Sequence, residues 1–235
     1  MLTTYPRIAV IHHLQQPFLG HAAAPLGAVE EHFGGSLPDL DRLDGIVSFG
    51  GEDSSWEPQF APELELIREA VRREIPFLGV CLGAQLLALA HGGEVSRLQR
   101  RLVAWAPLKP LTGDDDPIVN ALPPHAHGLH WNQDGIEPPP SATELLERPQ
   151  GGRAEAFRIG RLAWGVQFHP ELDQPALDGW YAEWADLLEP AGVTEPDARA
   201  ADARHMPDQA ALSTAIFGAF RRVVEETRAG RSAHA

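Results

Sequence analysis

The sequence predicts an α/β fold, a mainly parallel central sheet flanked by helices, with a smaller β-rich extension and C-terminal helices. Short apolar runs alternate with segments of helical period, the pattern of βαβ units. Glycine pairs, Gly50-Gly51 and Gly92-Gly93, punctuate those segments. With 235 residues, 43% of them hydrophobic, the chain is long enough to bury a substantial core in one large unit. The expected organisation is one domain over residues 1–188, with 189–235 a linker, a C-terminal helix and a flexible tail packed on it.

Arg7 to His12 reads as a buried strand. Leu26 to Phe33 fits a short helix, followed by a loop over Pro38 to Leu43. Gly45 to Phe49 is a second strand, stopped by Gly50-Gly51. Pro62 to Arg73 follows as a helix with Leu66, Ile67, Ala70 and Val71 on one face, and Pro62 suits its first turn. Phe77 to Val80 is a very short, wholly apolar strand. Leu82 to His91 resumes helical character until Gly92-Gly93 ends it.

Downstream, Leu102 to Leu108 is a candidate strand, and Glu155 to Ile159 joins Leu162 to Phe168 through Gly160-Arg161 as a hairpin. Gln174 to Leu188 sets Leu177, Trp180, Tyr181, Trp184 and Leu188 at helical spacing. Glu189 to Pro207 reads as a loose connector to a last helix, Asp208 to Arg228, striped by Leu212, Ile216, Phe220 and Val224. Ala229 to Ala235 reads as a disordered tail, and no internal repeat is present.

Composition narrows the function classes. A formal net charge of −14 repels polyphosphate, which argues against nucleic acid and anionic membranes as partners. No apolar run is long enough to cross a bilayer, and Met1 to Arg7 lacks the pattern of a signal peptide, so a soluble cytoplasmic protein is expected. The single cysteine, Cys81, excludes an intrachain disulfide and a multi-thiolate metal site. Burial or chemistry remains as its reason to exist.

Its setting favours chemistry. Gly79-Val80-Cys81-Leu82-Gly83 has the glycine-x-nucleophile-x-glycine form of a nucleophile elbow and falls between a predicted strand and a predicted helix. Such a turn holds the nucleophile in a strained backbone conformation while the glycines admit neighbouring chain closely. The thiol then sits at the C-terminal edge of the strand, where the helix N-terminus favours thiolate and its free N–H groups can hold an oxyanion. The plainer alternative is an inert cysteine buried in a tight βα turn.

A thiolate that attacks an amide needs a proton carrier for the leaving amine. His169 follows the strand ending at Phe168, and Glu171 shares its face at i+2, with Pro170 keeping the backbone extended. Glu171 can then accept from one ring nitrogen and leave the other facing the sulfur. Alone, His-Pro-Glu would read as a surface turn; joined to an elbow cysteine it reads as a triad.

Gly79 to Gln85 and Gly165 to Glu171 resemble the two signature blocks of class I glutamine amidotransferases, and Ile46 to Gly51 resembles that family's oxyanion glycine loop. The resemblance covers roughly Arg7 to Leu188 and is nearest to stand-alone proteins related to the glutaminase domain of GMP synthetase. It implies a flavodoxin-like sheet, Cys81 as nucleophile, His169 as general acid and base, and Glu171 as its orienting partner. Leu82 and Gly50 or Gly51 would supply backbone oxyanion donors. Gln85, one helical turn after Cys81, would bind the glutamyl backbone, and the segment of Trp131, Asn132 and Gln133 would help hold the substrate's α-amino and carboxylate groups. The implied reaction cleaves a γ-glutamyl amide through a glutamyl thioester, with no cofactor and no metal.

Two departures bear on substrate identity. Glu52 stands where the family commonly has proline, making the rim more acidic, and Asn132 stands where the family often has histidine. His12-His13, at the end of the first strand, are placed near the active edge. His125, His127 and His130 lack a carboxylate or cysteine at ligand spacing and read as loop composition rather than metal ligands. Asp114-Asp115-Asp116 reads as a solvated turn, and Trp180, Tyr181 and Trp184 as core packing.

No P-loop pattern or ATP-binding domain is present, which leaves two readings of one chemistry. The protein hydrolyses glutamine or a γ-glutamyl amine or peptide conjugate alone, or it is a glutaminase subunit passing ammonia to a separate synthetase. A non-catalytic binding protein on the same fold is a third reading.

Overall fold

In a computed structural model, residues 5–111, 115–148 and 153–233 are described. The central sheet starts with β1 (Ile8–Ile11); the chain passes through α1 (Ala23–Leu26) to the parallel neighbour β2 (Val29–His32) and continues through β3 (Gly45–Ser48). After α2 (Ala61–Arg72), β4 (Phe77–Val80) leads directly into α3 (Leu82–Ala90). A long ribbon of β5 (Glu94–Pro107) and β6 (His127–Glu137) forms a separate antiparallel sheet. The chain then returns through β7 (Thr143–Glu144), β8 (Ala156–Ile159) and β9 (Ala163–Val166), and ends with α4 (Gln174–Trp184) and α5 (Glu195–Ala233).

The strand order is β2-β1-β3-β4-β9-β8-β7, parallel from β2 to β9 and antiparallel thereafter. β1, β3, β4 and β9 are buried along their whole length, so their residues are apolar or small without alternation, as a sheet covered on both faces requires. Successive residues of these strands face opposite layers. Val10, Val47 and Leu78 meet Ile216, Phe217 and Phe220 of α5, while Ala9, Ile46 and Phe77 meet Ile67 of α2 and Leu86 and Leu87 of α3. A third cluster, including Trp131, Leu177, Trp180 and Tyr181, joins the ribbon to α4 beside the sheet's C-terminal edge.

Several expectations change. Leu26 to Phe33 is not a helix: α1 stops at Gly27, whose φ of 73° breaks it, and Val29–His32 pairs in register with β1 as an edge strand. The expected strand Leu102 to Leu108 is the end of the much longer β5, and β6 is an addition to the expected elements. Its His-Trp-Asn-Gln-Asp run hides a strand because its buried face carries polar groups. The connector before Pro207 is helical from Glu195, with Pro207 inside α5, and the helix runs on to Ala233 through most of the expected tail. His234 and Ala235 lie outside the described residues. The ladder loses a donor at Pro207, yet the alanine-rich turns on either side sustain it.

The acidic run also differs. Asp114 lies outside the described residues, but Asp116 is 1% exposed and accepts from Ile118 N, Val119 N, Arg158 Nε and Trp164 Nε1 at 2.9, 3.2, 2.9 and 2.9 Å. A charge buried among that many donors is a structural pin rather than a solvated turn. Among the described residues no helix is long and apolar enough to cross a membrane.

Candidate active site

β4 delivers Cys81 to the sheet edge at the mouth of α3, with φ 51° and ψ −104°. That conformation is costly for a residue with a Cβ, and it is held by Cys81 N donating to Val166 O at 2.8 Å and Gln85 N donating to Cys81 O at 3.0 Å. The flanking glycines are required by contact. A Cβ at Gly79 would collide with the Gly83 carbonyl, and one at Gly83 with the Ser48 carbonyl. Cys81 is 5% exposed; it packs with the core beneath the sheet edge and also lines a cavity.

The Gly50-Gly51 loop closes over the thiol. A Cβ at Gly50 would lie 3.0 Å from His169 Cε1 and 3.4 Å from Cys81 Cβ, so both side chains abut one glycine. A Cβ at Gly51 would stand 2.6 Å from His13 Cβ and 2.7 Å from Leu82 Cδ2. Beneath the loop, Glu63 of α2 accepts from Ser48 Oγ at 2.8 Å and pairs with His13 Nε2 at 2.9 Å, while His13 Nδ1 bonds the Phe49 carbonyl at 2.9 Å. Burial alone would lower His13's pKa, but Glu63, with help from the Phe49 carbonyl and Asp53, raises it, so the bridging imidazole favours its charged form.

His169 is held on every side. Its backbone N donates to Leu129 O at 2.9 Å, its Nδ1 bonds Glu171 Oε1 at 2.7 Å, and Trp180 packs edge-on with ring centroids 4.9 Å apart. Glu171 is fixed in turn, because its carbonyl accepts from His21 N at 2.8 Å and Gly20 lies too close for any Cβ. Burial would lower the pKa of His169; the charges of Glu171 and of a Cys81 thiolate outweigh it and raise the pKa to about 10. Nε2 meets Cys81 without a hydrogen bond of ordinary geometry. Catalytic pairs commonly tighten only around substrate.

The cavity brings together nearly all the residues singled out in the sequence. Cys81, His169, Glu171, Gly50, Gly51 and Gln85 line it, as do Trp131, Asn132 and Gln133 of β6. Leu82 is the exception: it is buried outside the cavity lining, with its side chain against Gly51. His12 and His13 also reach the wall. Glu52 sits at the rim, its pKa raised by partial burial and by the charges of Glu183 and Asp53. Trp180 and Trp184 pack as expected and also wall the cavity.

Other residues escape a reading of the sequence. Gln167 Nε2 donates to Cys81 Sγ at 3.5 Å, and the signal is there, since Gln167, His169 and Glu171 alternate at i, i+2 and i+4. Arg101 and Asp134 line the cavity with no motif to mark them. The histidines after Pro123-Pro124 separate: His127 stacks on His205 at 4.2 Å, while buried His130 lies 2.8 Å from Glu155 Oε2.

The family model described as glutamine amidotransferase class-I matches residues 31–180. A relative from Methanothermobacter thermautotrophicus, one subunit of its glutamine-hydrolyzing GMP synthase, is 35% identical over 139 residues, 58% of this chain and 74% of that protein. The GMP synthase of Aeropyrum pernix is 30% identical over 146 residues, 60% of this chain but only 28% of the relative, so the chain spans less than a third of that protein. A glutamine amidotransferase from Thermotoga maritima shares the fold with a TM-score of 0.82 at 24% identity, over 95% of this chain and 100% of that one. With the family model matching more than half of its 235 residues, the chain belongs to the class I glutamine amidotransferases.

Proposed function

We propose that the protein hydrolyses the γ-glutamyl amide bond of glutamine or of a γ-glutamyl amine or peptide conjugate, through a glutamyl thioester on Cys81. The observation that carries this reading is the meeting of Cys81 and His169 against Gly50, with Glu171 2.7 Å from the far ring nitrogen. In the first half-reaction the thiolate attacks the δ-carbonyl and the backbone N–H groups of Leu82 and of Gly50 or Gly51 receive the oxyanion. The C–N bond then breaks as imidazolium Nε2 gives its proton to the departing amine. In the second, neutral His169 takes a proton from water, hydroxide attacks the thioester, and glutamate leaves with the thiolate restored. Gln85, Trp131, Asn132 and Gln133 are assigned to binding the glutamyl group.

The test is purified protein against glutamine and a panel of γ-glutamyl amines, scored for released amine and for a glutamyl adduct on Cys81 by mass spectrometry. Turnover by the wild type that disappears in Cys81→Ala supports the reading; wild-type turnover in that variant overturns the mechanism. A second reading, delivery of ammonia to a separate synthetase, draws on the relatives that are single subunits of a GMP synthase. It expects near silence alone and glutamine hydrolysis once an acceptor enzyme is added. A non-catalytic binding protein would form no adduct under either condition.

A further inference from the structure

We propose that Arg101 is the specificity-determining cation of this site, binding the α-carboxylate of the γ-glutamyl substrate. The inference rests on the amidohydrolase reading and adds to it the substrate group that an otherwise unassigned side chain recognises.

The backbone sends Arg101 to the site. In the ribbon, Arg97 pairs with Asp134 and Leu102 with Asn132, so Leu98 to Arg101 form an excursion opposite Gln133 alone. Irregularities of this kind redirect side chains and concentrate beside functional sites. Here the last residue of the excursion lines the cavity that holds Cys81, Gln85 and Asn132. Had the strands paired without interruption, Arg101 would occupy a different register on the ribbon.

Charge supplies the second argument. The other arginine near this wall, Arg97, is already matched, with Nε 2.9 Å from Asp134 Oδ1 and Nη2 donating to Ser54 Oγ at 2.9 Å. Arg101 Nη2 donates to Gln133 Oε1 at 2.7 Å, a neutral acceptor, and no carboxylate among the described residues forms an ion pair with it. Burial and the neighbouring Arg97 lower its pKa, while Asp134, Cys81 and Asp186 oppose the shift. A half-buried guanidinium left with a neutral partner is poised for an anion.

The substrate class carries that anion. A γ-glutamyl amide presents its δ-carbonyl at one end and an α-carboxylate with its α-ammonium at the other. The fork of Arg101 matches a carboxylate in geometry as well as charge. The ammonium has a complement in the same wall, where Asn132 Oδ1 is buried without a partner. A site built around a charged recognition group rejects analogues that lack it.

The test uses the full chain and compares each hydrolysed γ-glutamyl amide with its 4-aminobutanoyl counterpart, which lacks only the α-carboxylate. Arg101→Met is expected to raise KM for the glutamyl substrate about 10- to 100-fold with a smaller change in kcat, the size of losing a charged hydrogen bond. KM for the counterpart should stay unchanged, and so should the rate at which neutral iodoacetamide labels Cys81. Arg101→Lys, which keeps charge but loses the fork, should fall between. Unchanged KM in Arg101→Met, or equal losses on both amides, overturns the assignment. Failure of the underlying reading would show instead in the wild type, as no turnover of any γ-glutamyl amide with or without an acceptor enzyme, and it would overturn this proposal with it.

Discussion

Gln209 of the C-terminal helix donates its side-chain amide to the backbone carbonyl of His169 at 2.7 Å, and both residues are buried. Helix α5 lies beyond the segment matched by the family model, yet it holds the histidine whose ring faces Cys81. Gln209→Met removes the donor and keeps most of the volume, leaving a buried carbonyl unsatisfied at about 1–3 kcal/mol. A general loss of packing would lower stability alone. A positioning role predicts in addition that kcat falls about tenfold or more while KM changes little, because proton transfer depends on where the imidazole sits. Thermal unfolding with steady-state kinetics checks both, and an unaltered kcat in a folded variant would remove Gln209 from the machinery.

Strain at the elbow gives a prediction of sign. An ordinary alanine-to-glycine change destabilises by about 0.5–1 kcal/mol through chain entropy. At position 81, φ of 51° and ψ of −104° penalise any Cβ, on the order of 1–3 kcal/mol. Cys81→Gly should therefore be more stable than Cys81→Ala, both being inactive. Denaturant unfolding of the pair decides it, and the usual order would mean the turn is not strained.

What the sequence makes legible follows from where the physics is local. The apolar or small runs of β3 and β4 and the glycine spacing around Cys81 announce themselves, because a doubly covered strand and a crowded elbow admit few residue types. The pairing of His169 with Glu171 is readable for a similar reason, period-two alternation beside a proline. β6 is not readable, since the buried face of His130, Asn132 and Asp134 looks polar whether it lines a site or a solvent loop. Nor is Arg101, whose place depends on an interruption of strand pairing between residues far apart in sequence. Glu195 to Pro207 misleads because a proline normally ends a helix, whereas here apolar residues beyond it dock on the sheet and hold the helix together.

Asp116 offers a test of structure separated from chemistry. It lies away from the cavity and binds two backbone amides, Arg158 and Trp164. Asp116→Ala takes an acceptor from two backbone amides, the Arg158 guanidinium and the Trp164 indole N–H, and should cost about 3–5 kcal/mol. In the fraction that remains folded, kcat and KM should be unchanged. A midpoint shift in urea with an unaltered active fraction would fit, and a kinetic defect per folded molecule would show coupling to the site.

The last prediction concerns pH, where the sign follows from the raised pKa of His169. Its folded pKa of about 10 stands above the ordinary value of 6.5, so the imidazolium contributes stability that is fully present below 6.5 and lost as pH rises through about 10. Glu171 is the larger of the two charges that raise it, the thiolate the other. Glu171→Gln removes that charge but keeps the shape, so both the alkaline loss of stability and the alkaline limb of kcat should move to lower pH. Because the same change weakens the orientation of the ring, kcat at neutral pH should fall by on the order of 100-fold or more. Unfolding free energies and kcat measured between pH 6 and about 10.5, bracketing both pKa values, provide the comparison. If the alkaline limb stays in place in Glu171→Gln, the limb belongs to another group, and the pair of His169 with Glu171 does not set the protonation of the site.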